Sequence, residues 1–279
     1  MNTAKMVAQE VQLYDRDRYV ACLFSKRNVQ ERLLTLYAMN SQLERIAEQV
    51  SEPQLGEIRL QWWRDSLSQI GNGENIGHPV VDQIGNCFDL SADFQRHLTE
   101  MIDARSFDIS GIQMPDRRAL KTYLLKTEGA LLKLGSMSLD NLPTVDPALL
   151  EAASELYGYT KLMVNLPFHS ARGLILLPQD LCEQFELDPA HLQTGKMSSE
   201  LSALLEFLQT ECENLLKVVR HELDKTDKSA IDAFLHLALV PPYLQALQRN
   251  GVKIFQHPVH INPLRRLWSI WRMAQSGSL

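Results

Sequence analysis

Two sets of polar residues in this chain are spaced to do chemistry at a shared surface. Glu44 and Glu48 stand four apart in NSQLERIAEQV, so on a helix their carboxylates share a face. Such a pair can supply oxygen ligands to Mg²⁺, a hard cation that also takes substrate phosphates, and it reads as well as two solvated glutamates on a helix rim. Tyr37, Asn40 and Ser41 lie on the adjoining polar line, beside the apolar stripe of Leu36, Leu43 and Val50, where they can look into a cavity. The second set is Lys161, Asn165 and His169, again four apart, followed by Arg172. Lys161 and Arg172 are candidates for phosphate binding, while His169, just after Pro167, also reads as a capping or core histidine. The chain has no H-x-x-x-H or H-E-x-x-H pair for zinc, and no G-x-S-x-G, P-loop or G-x-G-x-x-G.

Helices must position these side chains, because the apolar period is helical nearly everywhere. Val29, Leu33, Leu36, Leu43, Ile46 and Val50 predict a helix over 28–50. Leu55, Ile58, Trp62, Leu67 and Ile70 predict a second over 54–70, stopped at Gly71. Pro79 opens a run to 104, Pro115 and Asp116 stand at the next start, and Pro147 opens a helix expected to end at 164 before Pro167. The period resumes over 197–223, over 231–248 with an interruption at Pro241 and Pro242, and over 263–273. Residues 174–177 are too few for more than a local extended stretch, and a break is expected at 140–147. The reading is an all-α fold of eight or nine helices in one domain over 1–279.

At 279 residues, 45% hydrophobic and 22% charged, the chain can bury a sizeable core. Its net charge of −6 argues against a nucleic-acid partner. Cys22, Cys87, Cys182 and Cys212 are far apart and read as reduced thiols. The first residues carry no apolar signal-peptide core, and no uncharged run is long enough to cross a membrane, so the expected location is cytoplasmic. In the 263–273 helix, Leu264, Leu267, Trp268 and Trp271 share a face, with Arg265, Arg266 and Arg272 around it. That helix either docks on the core by its tryptophans or lies peripherally on anionic lipid. Trp62 and Trp63 read as packing residues, with a cavity role as the alternative.

Longer strings carry a resemblance. DRYVACLFSKRNVQERLLTLYAMNSQLERIAEQVSEP and GEIRLQWWRDSL resemble the front half of the squalene/phytoene synthase family, and RSFD and YLLKTEGALLKL resemble its middle. GYTKLMVNLPFHSARGLILLPQDL is similar to its second aspartate-rich helix, so the match runs from Tyr14 to Cys182. The resemblance implies a helical bundle of the isoprenoid (terpenoid) synthase type with a central cavity. Active members carry two D-x-x-x-D motifs that face each other there and bind Mg²⁺ for the substrate diphosphates. By resemblance these fall on Glu44 and Glu48, and on Asn165 and His169, where no carboxylate remains. NLPFHSARG, LLPQDLC and MNSQLERI are similar to the branch that contains the mitochondrial assembly factor of respiratory complex I and its alphaproteobacterial relatives. That branch implies a non-catalytic binding or assembly role with no cofactor. The partner would be a complex I subunit or another membrane protein, at the inner membrane of a bacterium or mitochondrion. The alternative is an active head-to-head prenyltransferase on farnesyl or geranylgeranyl diphosphate. It would use Mg²⁺ on Glu44 and Glu48, with Lys161, His169 and Arg172 replacing the second metal set. A third reading is a carrier of an isoprenoid lipid.

Overall fold

A computed structural model describes residues 3–140 and 143–279; residues 141 and 142, inside the break expected at 140–147, lie outside the described residues. Sixteen α-helices and no strand occur among the described residues, more segments than the periodicity resolves because several predicted helices are divided. The first helix, α1 (Thr3–Tyr14), is absent from the sequence expectation and buries Val7 and Val11. Asp15 caps α2 (Arg16–Cys22), its carboxylate accepting from the Arg18 amide at 3.1 Å. The predicted 28–50 helix is α3 (Arg27–Glu44) followed by a turn at Arg45 and the single-turn α4 (Ile46–Gln49). That turn coincides with a tertiary anchor: the Arg45 guanidinium pairs with Glu10 and lies 3.4 Å from the centre of the Tyr14 ring.

The predicted 54–70 helix is α5 (Pro53–Gly71). The run expected over 79–104 is two helices, α6 (Pro79–Cys87) and α7 (Ala92–Ala104), because Ser91 caps the second and accepts from the Phe94 amide at 3.3 Å. A short α8 (Ser106–Ile109) precedes α9 (Arg117–Leu124), whose Asp116 cap accepts from the Ala119 amide at 2.7 Å. A π-helical segment, Leu125–Gly129, joins α9 to α10 (Ala130–Met137).

The long α11 (Pro147–Ala171) runs straight through Pro167, beyond the expected end at 164. A proline in a helix interior costs about 3 kcal/mol in isolation. Leu149, Leu156, Met163 and Leu166 are buried and fix α11 up to the proline; beyond it Ser170 is buried and the Gly173 and Leu174 amides bond the last carbonyls of the helix. After α12 (Gln179–Gln184) and α13 (Pro189–Leu192), α14 (Ser199–Lys225) packs along α11. The run expected over 231–248 is divided beside the prolines: 3-10 turns over Lys228–Ala233 and Leu235–Leu239 lead into α15 (Val240–Asn250), whose first turn holds Pro241 and Pro242, where no amide is needed. The chain closes with α16 (Pro263–Ser276). Residues 174–177 are extended but not a strand; Met114 donates its amide to the Ile175 carbonyl at 3.5 Å and accepts from the Gln179 amide at 2.8 Å. No helix among the described residues is long and apolar enough to cross a membrane.

Candidate functional site: an apolar cavity over an internal ion-pair network

A cavity of about 1210 Å³ lies between α3, α4, α8, α9 and α11, with apolar walls that include Leu120, Leu124 and Leu162. Gly158 of α11 also lines it, and a Cβ there would overlap the Leu124 side chain, so the glycine lets α11 approach α9. Both predicted polar sets reach this space: Glu44 and Glu48 from one side, Lys161, Asn165, His169 and Arg172 from the other. Because α11 does not end at Pro167, Lys161, Asn165 and His169 keep one helical line. The end of α11 is then held by Gly173, at φ +73°, in a Schellman turn in which the Gly173 amide bonds the Ser170 carbonyl and the Leu174 amide the His169 carbonyl.

Ser41 lines the cavity as expected, but Tyr37 and Asn40 do not. Both are buried in the layer beneath it. The Tyr37 ring lies 5.2 Å from the Arg18 guanidinium, and the Asn40 Oδ1 accepts from Arg105 Nη2 at 2.9 Å. Trp62 and Trp63 are not lining residues either; they meet His78 edge-on at 5.1 and 5.6 Å.

Along the polar wall of the cavity, charges of opposite sign alternate in a chain that includes the lining residues Glu44, Arg105, Asp108, Glu128 and Lys161 and runs inward to the buried Arg18. Arg18 of α2, fully buried, bonds Asp15 at 3.0 Å through Nη1 and Glu128 of the π segment through Nη2. Lys161 Nζ donates to Glu128 at 3.1 Å and to Glu44 at 2.8 Å. Glu44 also accepts from Arg105 Nη2 at 3.1 Å, and Arg105 Nη1 reaches Asp108 at 3.1 Å and the Tyr123 hydroxyl at 2.9 Å. The Tyr123 hydroxyl closes the chain by donating to Asp108 at 2.7 Å.

The protonation states follow from this pairing. Burial works to raise the Glu44 carboxyl, but Lys161 and Arg105 outweigh it and hold Glu44 at about 2. Burial is likewise overcome at Glu128, which Arg18 and Lys161 keep well below the ordinary range. Lys161 is pushed up to about 12, because Glu128 and Glu44 outweigh its desolvation. All three therefore stay charged, each spent on the others. His169 differs: burial, with Lys161 and Arg172 nearby, lowers it to about 4. Read from the sequence as one of three cations on this wall, His169 is neutral at pH 7. Asn165 beside it is uncharged as well.

At the rim, Glu48 is exposed and forms no ion pair among the described residues; it stands on α4, past the break at Arg45, and lines the same cavity as Glu44. Arg172 is also exposed and has no carboxylate partner among them; its guanidinium lies 3.6 Å from the centre of the Phe168 ring. Sequence spacing misses Asp15, Arg18, Arg105, Asp108, Tyr123 and Glu128 as site residues. They sit on five different segments, and Arg18 and Glu128 are 110 positions apart. Arg18, Arg105, Asp108, Tyr123 and Glu128 do lie within the strings DRYVACL, RSFD and YLLKTEGALLKL that carry the family resemblance, and that was the signal available for them.

The squalene/phytoene synthase sequence profile matches residues 11–265. The chain belongs to the squalene/phytoene synthase family. Over 247 residues it is 25% identical to "NADH dehydrogenase (ubiquinone) complex I, assembly factor 6" of Rattus norvegicus, covering 88% of this chain and 73% of that protein. The same protein of Homo sapiens is 22% identical over the same shares. Among solved structures, a dehydrosqualene synthase in complex with ligand superposes with a TM-score of 0.81 at 17% identity, covering 98% of this chain and 95% of that one. Squalene synthase HpnC from Alicyclobacillus acidocaldarius gives 0.73 at 15% identity, over 89% and 94%. These superpositions establish the all-α fold of squalene/phytoene synthases, as the resemblance implied.

The Mg²⁺ that this family implies does not fit the donor set present. Mg²⁺ needs near-octahedral oxygen ligation and sheds water reluctantly. Glu44 already shares its Oε1 between Lys161 and Arg105, Glu48 is the one motif position with a carboxylate unpaired among the described residues, and Asn165 and His169 bring no anionic oxygen.

Proposed function

We propose that this chain is a non-catalytic member of its family that works by binding, as an assembly factor for respiratory complex I. The carrying observation is the Lys161 ammonium, which bridges Glu44 and Glu128 where a catalytic relative would need carboxylates free for metal. Ionising a prenyl diphosphate takes metal and cationic groups aimed at the departing diphosphate. In this cavity the inner cations are neutralised, His169 is uncharged and Arg172 alone faces the space unpaired among the described residues. The similarity to complex I assembly factors over 88% of the chain supports the role. The partner on this reading is a complex I subunit or another membrane protein, and the chain acts peripherally on the inner face of the membrane. The apolar cavity supports a second reading, in which an isoprenoid or similar lipid is held without being changed.

The test is incubation of the pure protein with Mg²⁺ and farnesyl or geranylgeranyl diphosphate, following pyrophosphate and extracted hydrocarbon. Neither is expected. Product that disappears in Glu44→Ala/Glu48→Ala protein would overturn the reading and make the chain a prenyltransferase. For the assembly role, deletion of the gene should lower complex I activity, and the Glu44→Ala/Glu48→Ala chain should restore it where a catalytic role would not allow it.

A further inference from the structure

The α16 helix presents its apolar residues outward. Leu264 is 76% and Trp268 61% exposed, Leu267 and Trp271 are exposed beside them, and Ile270 and Met273 on the opposite side are buried at 0% and 1%. The helix thus docks on the body by its aliphatic side, leaving the tryptophans uncovered; the two indoles pack together with ring centres 5.0 Å apart. No acidic residue occurs anywhere in PLRRLWSIWRMAQS, although the whole chain carries −6. Arg265 and Arg272 are seven positions apart and so fall along one edge of the tryptophan face; Arg272 is exposed, and Arg265 is half-buried with its Nη2 bonded to the neutral Gln245 amide oxygen, which leaves its charge unpaired. Arg266 points the other way and is spent on Asp17 at 2.7 Å.

The root of this helix is anchored close to the charged network. Arg266 lines a recess of about 240 Å³ together with Glu44, Lys161, Asn165 and Tyr243. The Tyr243 hydroxyl donates to Asp17 at 2.5 Å, tying α15 to the same anchor.

We infer that the outward face of α16 is a docking surface for an anionic lipid bilayer, with Trp268, Trp271, Leu264 and Leu267 in the interface and Arg265 and Arg272 against the headgroups. Two features select a membrane over a soluble partner. Tryptophan has an amphipathic ring suited to the headgroup level, and a basic edge beside an apolar helix face complements negative lipid. The inference deepens the peripheral reading above and rests on it for location, but its evidence is α16 alone.

The experiment is co-sedimentation of the full chain with phosphatidylcholine vesicles, with and without about 30 mol% phosphatidylglycerol. The chain should pellet with the anionic vesicles and stay in solution with the neutral ones. Trp268→Ser/Trp271→Ser should abolish binding while the melting curve is unchanged, because both side chains are exposed. Arg265→Gln/Arg272→Gln should lower anionic binding by about 30-fold, two surface charges' worth, and added salt should mimic it. A wild-type chain that stays in solution with anionic vesicles overturns the inference. So does a face that instead pairs two copies, seen as a concentration-dependent dimer lost in Trp268→Ser/Trp271→Ser. Either failure is separable from the assembly reading, which is decided by the diphosphate and complex I measurements.

Discussion

The inner network and the cavity rim use the same residue types to opposite ends. Inside, Lys161 joins Glu44 and Glu128 at 2.8 and 3.1 Å, Arg105 joins Glu44 at 3.1 Å and Arg18 pairs with Glu128, so their charges are consumed by neighbours. At the rim, Glu48 and Arg172 belong to the same two family motif regions, yet neither has an oppositely charged partner among the described residues. Burial makes the difference. A charge taken from water must be paired, whereas one left at the surface is solvated and gains little from pairing. The network glutamates are therefore paired members of the cavity wall, and the unpaired charges lie at its rim.

Breaking the network should cost most. Arg18→Met leaves Glu128 and Asp15 buried with one cation fewer, a loss of about 3–5 kcal/mol, readable as a drop of about 10 °C in thermal unfolding. Lys161→Ala should cost less, about 2–3 kcal/mol, because Glu44 and Glu128 each retain an arginine. The same substitution should sharpen the comparison by opening the position between the two carboxylates. Mn²⁺ titration followed by electron paramagnetic resonance is expected to show binding at least about tenfold tighter than in the wild type. Adding Glu44→Gln should remove it. Equal Mn²⁺ affinity in the wild type and Lys161→Ala would mean the lysine does not hold the cation's place.

The pH dependence has a definite sign. His169 titrates at about 4 when folded and 6.5 ordinarily, so between these values the unfolded chain binds the extra proton and stability falls as pH is lowered. Glu44, at about 2 against 4.5, continues the fall below pH 4.5. Asp15 and Asp108 are raised by burial and oppose part of it. Urea unfolding should lose on the order of 2 kcal/mol between pH 6.5 and 4, and His169→Gln should flatten that upper portion. The rim should respond least: Glu48→Ala and Arg172→Ala are each expected within about 0.5 kcal/mol of wild type in the same assay.

Much of this was legible before the structure. The cap at Asp116, the opening of α11 at Pro147 and the stripe of α3 follow from spacing over a few residues, whereas the expected end at 164 would have taken Asn165 and His169 off the helix. The strings around them were sufficient for the family. The neutrality of the second motif is likewise a matter of residue identity at Asn165, although not at His169, whose proton is removed by burial.

Local sequence therefore determined most helix starts and the apolar stripes, which depend on neighbours within about one or two turns, and longer strings over 14–182 determined the family. Tertiary structure alone decided that Glu44 meets Lys161 across 117 positions, that α11 continues past Pro167, that α3 stops before Glu48, and that α16 turns its tryptophans outward. Those outcomes rest on burial and on pairing between distant segments. Helical period leaves them open, since the same spacing is compatible with an occupied metal site, a solvated rim or an internal ion pair.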